Sequence, residues 1–222
     1  EERLRDITSL ADSSSLVSSA LQLTTESADN DSHRRYIENR LESILHADNY
    51  RGAMILDRNG QPLASVGLDI DLPSSTLALI EQASISRGIA GHLTLNDSAG
   101  SYQDLVAPLV MPGERAQVEH FLLLRSDPER LLRSLMPIWP GYHASGETQI
   151  FRPGRQDALS YPGPGSGISG DSKSAVINGV NPLAGAIDLQ RKRHGQLRAK
   201  DHRGQDVLAS YRALKDSDYA VI

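Results

Sequence analysis

"DRNGQPLAS", from Asp57 to Ser65, nearly recurs 144 residues later as "DHRGQDVLAS", from Asp201 to Ser210. Each reads Asp-x-x-Gly-Gln, a short gap, then Leu-Ala-Ser. The pair marks either a duplicated module or one turn chemistry used twice, and the order of the flanking segments decides which. Asn-Gly between two apolar runs signals a hairpin, because such a turn needs positive φ at its centre. Here the runs are "GAMILD" and "QPLASVG". Next comes "LPSSTLALIEQASISRG", which opens on Pro and Ser, carries Leu77, Ile80 and Ile85, and reads as a helix closed by Gly88. "GHLTLND", "SYQDLVAPLVM" and "QVEHFLLLRSD" are three further strands. The first block is therefore two strands, a helix and three strands.

A second block repeats the order. "TQIFRPG" and "DALSYPG" form a hairpin turning at Arg152 to Arg155, and "PGPGSGISGDS" is a loop. "SAVINGVNPLAGAIDLQ" is ambiguous, since Gly179, Pro182 and Gly185 weaken any long helix. "GQLRAKD", "QDVLASYRAL" and "DYAVI" are its last three strands. "DRNG" thus joins the first and second strands of its block, whereas "DHRG" joins the third and fourth of its own. The two stretches are not equivalent positions. They share a turn chemistry, Asp to open and Gly for the unusual φ, and the duplication lies in the order of strands.

Before the first block, Leu4, Ile7, Leu10, Val17 and Leu21 fit one face of a helix, read as a long exposed stalk over residues 1–28. "SADNDS" breaks it, and a second helix is expected from His33 to His46 with Tyr36, Ile37, Leu41, Ile44 and Leu45 on its apolar side. "DPERLLRSLMPIWPGY" reads as a helix from Pro128 to Met136 broken by Pro137 and Pro140, a connector between blocks. The expected fold class is α+β: a long N-terminal helix, then two tandem domains, each an antiparallel sheet with flanking helices. The boundaries are 1–47 for the stalk, 48–127 for the first domain, 128–146 for the linker and 147–222 for the second domain.

Composition narrows the function classes. A net charge of −5 and 5% aromatic residues argue against nucleic acid as a partner. The absence of cysteine excludes disulfides, thiolate metal sites and a cysteine nucleophile. No apolar run reaches the ~20 residues that span a bilayer. The chain starts inside a helical pattern and stops inside an apolar run, so segments are expected beyond both ends.

The helix followed by two such blocks resembles a double Cache sensor domain. "GAMILDRNGQPLAS" is similar to the first Cache hairpin. "LVAPLV" with "VEHFLLLRSDPERLLRSLMPIWPG" resembles the strand, Asp-Pro and Trp-Pro passage that links the halves in one bacterial group, and "DHRGQDVLASYRALKDSDYAVI" its terminal hairpin. The resemblance covers most of residues 33–222. It implies a periplasmic location, flanking transmembrane helices, a homodimer through the N-terminal helix, and a small molecule held in the first, membrane-distal domain. It also implies a cytoplasmic output, either a GGDEF or EAL domain acting on cyclic-di-GMP or a histidine kinase. The motif of the amino-acid-binding subgroup is not matched, so an amino-acid ligand is not implied. A ligand-independent dimerisation platform is the alternative.

The residues offer little chemistry. None of His33, His46, His92, His120, His143, His194 and His202 forms a His-x-x-x-His pair or sits with a carboxylate cluster, and Asp69 and Asp71 lack EF-hand spacing. No metal or cofactor is expected. "GPGSGISG" (Gly163 to Gly170) lacks the Lys-Ser/Thr of a phosphate loop, and no nucleophile elbow occurs. An enzyme is therefore not expected in this chain. "QRKRHGQLRAKDHR" (Gln190 to Arg203) is the one basic run, read as an exposed strand edge or helix end, with lipid head groups or a protein as possible partners. A ligand pocket needs a few polar groups converging on an apolar lining. Its candidates are Arg87 at the helix end, His92 and Thr94 on the third strand, and Tyr102 and Asp104 on the fourth.

Overall fold

The computed structural model describes residues 2–23, 30–47, 50–68, 72–97, 100–110, 118–128, 147–151, 158–162, 175–177, 182–188, 191–201, 203–213 and 219–222. The linker helix with Trp139, the Arg152 to Arg155 turn, the glycine-rich loop, Asp69 and Asp71 lie outside them. Two compact units are present, Glu1–Thr94 with Ser101–Leu131, and Leu132–Ile222 with Leu95–Gly100.

The first unit holds α1 (Glu2–Ala11), α2 (Ser14–Gln22), α3 (Asn30–Ala47), β1 (Tyr50–Asp57), β2 (Pro62–Val66), α4 (Ser74–Ser86), most of β3 (Ala90–Asp97) and β4 (Gly100–Leu109), whose ends at 95–97 and 100 fall in the other unit, and β5 (His120–Ser126). Its sheet has the order β2-β1-β5-β4-β3. The pairs β1–β2, β1–β5 and β4–β5 are antiparallel. Alternate side chains of a strand point to opposite faces, and here both faces are covered. Met54, Leu56, Val106, Phe121 and Leu123 pack with Leu79, Ile80 and Ala83 of α4. Ala53, Ile55, Leu105, Ala107, Leu122 and Leu124 pack with the buried residues of α1, α2 and α3. This double burial explains why β5 reads as an unbroken apolar run: every one of its residues is buried.

The N-terminal segment departs from the expected exposed stalk. Residues 2–23 form two helices, and their apolar face is in the core: Ile7, Leu10, Leu16, Val17 and Ala20 are all buried. The break at Asp12 and Ser13 follows from the pattern. Ile7, Leu10 and Ala11 define one stripe, and Leu16, Val17 and Ala20 another, rotated by roughly a third of a turn at ~100° per residue. One straight helix cannot place both on the sheet. Polar contacts hold α1 down as well. Arg3 donates to Gln103 Oε1 at 3.0 Å and to Ser126 Oγ, and the Tyr50 hydroxyl donates to Asp6 at 2.9 Å. Helix α3 covers the expected residues but leaves Tyr36 exposed, its hydroxyl donating to Ser15 Oγ at 2.9 Å.

The second unit contains β6 (Glu147–Phe151), β7 (Ala158–Pro162), β8 (Ala175–Ile177), the short helix α5 (Pro182–Gly185), β9 (His194–Lys200), β10 (Asp206–Ala213) and β11 (Ala220–Val221). The ambiguous 174–190 stretch therefore resolves, in its described part, into a strand and one helical turn. The sheet order is β8-β7-β6-β11-β10-β9. Without the edge strand β8, this is the strand order of the first sheet. Phe151, Ile187 and Ala220 form its buried cluster, with Leu197, Tyr211 and Ile222 packed against them.

The two Asp-x-x-Gly-Gln turns have one geometry. Asp57 N–H donates to Gln61 O at 2.9 Å and Gly60 N–H to Asp57 O at 3.0 Å; Asp201 with Gln205 and Gly204 repeats both distances. Asp57 Oδ1 accepts from the amides of Asn59 and Gln61 at 2.8 and 2.7 Å. Asp201 Oδ1 accepts from those of Arg203 and Gln205 at 2.8 and 2.9 Å. Gly60 and Gly204 have φ of +80° and +78°. One turn joins β1 to β2 and the other β9 to β10, so the shared motif sits at different places in two sheets of like order.

Candidate functional site

On the α4 side of the first sheet the apolar packing is interrupted by one charged group of side chains. Asp104 on β4 and Arg125 on β5 are direct cross-strand partners. The guanidinium grips the carboxylate with two bonds, Nε to Oδ1 at 2.7 Å and Nη2 to Oδ2 at 2.8 Å. Such a forked, charge-assisted pair is among the stronger and more directional contacts available to a protein. Thr76, in the first turn of α4, donates to Asp104 Oδ2 at 2.5 Å. The Arg125 guanidinium lies 4.0 Å from the centroid of the Tyr102 ring, the arrangement of a cation–π contact. Asp104, Thr76 and Tyr102 are each 1% exposed. The Arg125 side chain keeps 10% exposure against 2% for that of Asp104, so the cation is the member that solvent reaches.

Of the five residues expected at a pocket, the structure brings Tyr102 and Asp104 together through Arg125. His92 and Thr94 are half-buried on β3, the strand beside β4. Alternation from Ala90, which packs in the α4-side core, assigns His92 to that face. The Thr94 hydroxyl is buried without a hydrogen-bond partner. Arg87 is exposed at the C-cap of α4 with φ +51°. The left-handed residue that closes this helix is therefore Arg87, one position before the expected Gly88.

Thr76 and Arg125 were not among the expected residues, although the sequence holds a signal for each. In "HFLLLRS", Arg125 follows Phe121 and Leu123 at a spacing of two, so the strand period sets a charge on a buried face and demands a partner. In α4, Thr76 precedes Leu79, Ile80 and Ala83 at helical spacing.

A groove of about 300 Å³ flanks α4, lined among others by Arg58, Asn59, Leu77, Glu81, Ile85 and Phe121. That volume is at the small end of the range for ligand pockets. It reaches the α4-side core through Phe121, four residues along β5 from Arg125. It includes none of the five expected residues. Among the described residues, no three His, Asp or Glu side chains gather as a metal site would require.

On the other side of the sheet, by alternation with Leu122 and Leu124, lies His120. It is 1% exposed, and neither ring nitrogen has a hydrogen-bond partner. Burial lowers its pKa below 6.5, opposed by the carboxylates of Glu119 and Asp57.

This layout, a five-stranded antiparallel sheet between helices in one unit and a like-ordered sheet in the other, is the fold of bacterial sensor domains. The histidine kinase DctB sensor domain from V. cholerae aligns with 98% of this chain and 86% of its own, at 17% identity and a TM-score of 0.63. A domain of a sensory box/GGDEF family protein from Vibrio parahaemolyticus aligns over 99% of this chain and 86% of its own, at 14% identity and a TM-score of 0.61. The ligand-binding domain of the Pseudomonas aeruginosa PAO1 amino acid chemoreceptor PctC, solved with GABA, covers 99% of this chain and 88% of its own, at 12% identity and a TM-score of 0.53. No family model matches the chain, and no curated protein matches it. The fold is that of Cache-type sensor domains, as the resemblance implied. No helix among the described residues is long and apolar enough to cross a membrane.

Proposed function

We propose that the chain is the extracytoplasmic sensory domain of a bacterial membrane receptor. In this reading it binds a small charged molecule on the α4 side of the first unit's sheet. It then controls a cytoplasmic output of the GGDEF/EAL or histidine kinase kind, and does no chemistry itself. The observation that carries this is the Tyr102, Asp104, Arg125 and Thr76 group. A buried ion pair contributes little net stability over apolar packing of the same shape, so its presence in the layer between sheet and helix calls for a reason other than folding. Arg125, the more exposed member, is where an anionic group of the ligand would compete with Asp104 for the guanidinium fork. Among the similar structures are a histidine kinase sensor domain, a domain of a sensory box/GGDEF family protein and a chemoreceptor ligand-binding domain, which supports the sensory reading. The boundaries 48–127 and 147–222 for two tandem Cache domains, the flanking transmembrane helices and a homodimer belong to the same proposal.

The test is a thermal-shift screen of small carboxylates, zwitterions and amines. A true ligand stabilises in proportion to RT ln(1 + [L]/Kd), about 2.7 kcal/mol at a hundredfold excess over Kd. The shift is expected for an anionic or zwitterionic compound and is expected to vanish in Arg125→Lys, which keeps the charge but loses the fork. A shift that survives in Arg125→Lys moves the site elsewhere. The second reading, a ligand-free dimerisation platform, is favoured by the closure of the group, whose members already satisfy one another. It predicts no shift with any compound and a melting temperature that rises with protein concentration.

A further inference from the structure

The basic run takes a definite form in the second unit. The register of β9 and β10 sets which side chains share a face: Arg198 is opposite Leu208, Lys200 opposite Asp206, and His194 opposite Arg212. All six are exposed. The alternating positions Leu197, Val207, Ala209 and Tyr211 are half-buried or buried. The bend leading into β9 adds Arg191, Lys192 and Arg193, all exposed, and the Arg193 carbonyl accepts from Ala213 N–H at 2.6 Å, which extends the ribbon by one rung.

Residues 191–213 hold seven Lys and Arg against two Asp, in a chain whose net charge is −5. Two of these cations are matched, Lys200 with Asp206 at 3.3 Å and Arg203 with Glu147 at 3.1 Å. Arg191, Lys192, Arg193, Arg198 and Arg212 make no ion pair among the described residues. β9 is the edge of the sheet, and charge on an edge strand deters pairing with another chain. That accounts for Arg198 and Lys200. It does not account for Arg212 on β10, an interior strand, or for Leu208, which is 69% exposed beside Arg198.

We propose that this face binds the surface of an anionic lipid bilayer. On this face the unpaired Arg198 of β9 and Arg212 of β10 are two same-face rungs apart, about 13 Å along the ribbon, with the apolar Leu208 directly opposite Arg198. Head-group phosphates meet Arg198, Arg212 and the Arg191 to Arg193 bend, while Leu208 enters the boundary between head groups and acyl chains. An exposed leucine among cations favours a lipid surface over a soluble polyanion. Among the described residues the exposed face carries no Phe, Tyr or Trp on which bases could stack. The inference does not depend on a ligand in the first unit.

The 222-residue chain would be sedimented with vesicles of phosphatidylglycerol and phosphatidylcholine, and with phosphatidylcholine alone, at low and high salt. Binding is expected to the mixed vesicles only and to weaken with salt. Arg198→Glu with Arg212→Glu should lower partitioning at least about tenfold, and Lys192→Glu with Arg193→Glu should do so to a similar extent. Leu208→Ser should weaken vesicle binding while leaving any binding to polyglutamate unchanged. Far-UV circular dichroism checks that each variant is folded. Sedimentation that is absent for both vesicles, or unchanged in both folded charge-reversal variants, would overturn the proposal. Binding to polyglutamate without binding to vesicles would also overturn it and would reassign the face to an acidic protein.

Discussion

Asp104 and Arg125 show how much a single buried pair can set at stake. Neither charge has an inexpensive way out of the interior. Removing one partner strands the other, a loss of about 3–5 kcal/mol, whereas replacing both by apolar residues of similar volume is often neutral. Asp104→Leu alone should therefore lower the urea midpoint sharply, and Asp104→Leu with Arg125→Met should recover most of the loss. Equal destabilisation by the single and double variants would show that the pair holds the fold together, and would weaken the argument for a binding role. His120 is buried as well, and neither of its ring nitrogens has a hydrogen-bond partner. Its pKa is lowered in the folded state by burial, so the unfolded chain binds the proton more readily. Its contribution to stability is fully present above about pH 6.5 and is lost as pH falls below that value towards the folded pKa. His120→Leu should be at least as stable as the parent near pH 7, and should lose less stability between about pH 7 and about pH 5. Parallel pH profiles for the two proteins would show that His120 is not the group that titrates.

At the scale of elements, the two Asp-x-x-Gly-Gln turns are a matched pair in different surroundings. Gly60 and Gly204 share a left-handed φ that a side chain resists by about 1–2 kcal/mol. A Cβ on Gly60 would also meet Leu77 Cδ2 at 2.4 Å, while one on Gly204 would meet nothing within 4 Å. Gly204→Ala should therefore show the backbone cost alone, and Gly60→Ala that cost plus the displacement of Leu77. Urea denaturation of both variants measures the difference, and equal losses would mean that Leu77 yields freely. These turns also show what was legible. Asp, Gly and the flanking strand patterns lie within a few residues of one another, so local chemistry gives the turns, their Gly positions and the succession of strands along the chain, whereas the order of strands in each sheet rests on long-range pairs such as β1 with β5. The break between α1 and α2 was less visible, because it depends on the phase of two apolar stripes against a sheet that begins at Tyr50. Arg125 was missed for a related reason. A search by residue type takes an arginine near a strand end as surface, and only the two-residue period from Phe121 and Leu123 sets it inside, opposite Asp104.

For the molecule as a whole, the sensory and structural readings differ in where a stimulus is felt. The Gln103–Ser126 rung lies next to the Asp104–Arg125 rung in the β4–β5 ladder, and the two face opposite sides of the sheet. One is held by Arg3 of α1 and the other by Thr76 of α4. A ligand that engages Arg125 therefore acts on a ladder that α1 also grips, and the route to the N-terminal helix is a single strand thick. Hydrogen exchange can read this directly. With a stabilising ligand bound, amides of α4, β4 and β5 should slow first, followed by those of α1 around Arg3, while β9 and β10 in the second unit keep their rates. This follows from local opening, whose free energy rises only where the ligand adds contacts. Uniform slowing across both units would point to global stabilisation without a local site. Slowing that tracks protein concentration and ignores every added compound would favour the dimerisation platform. The combination that supports a sensor is slowing on both faces of the first sheet with an unchanged second unit, and its loss in Arg125→Lys ties the effect to the buried cation.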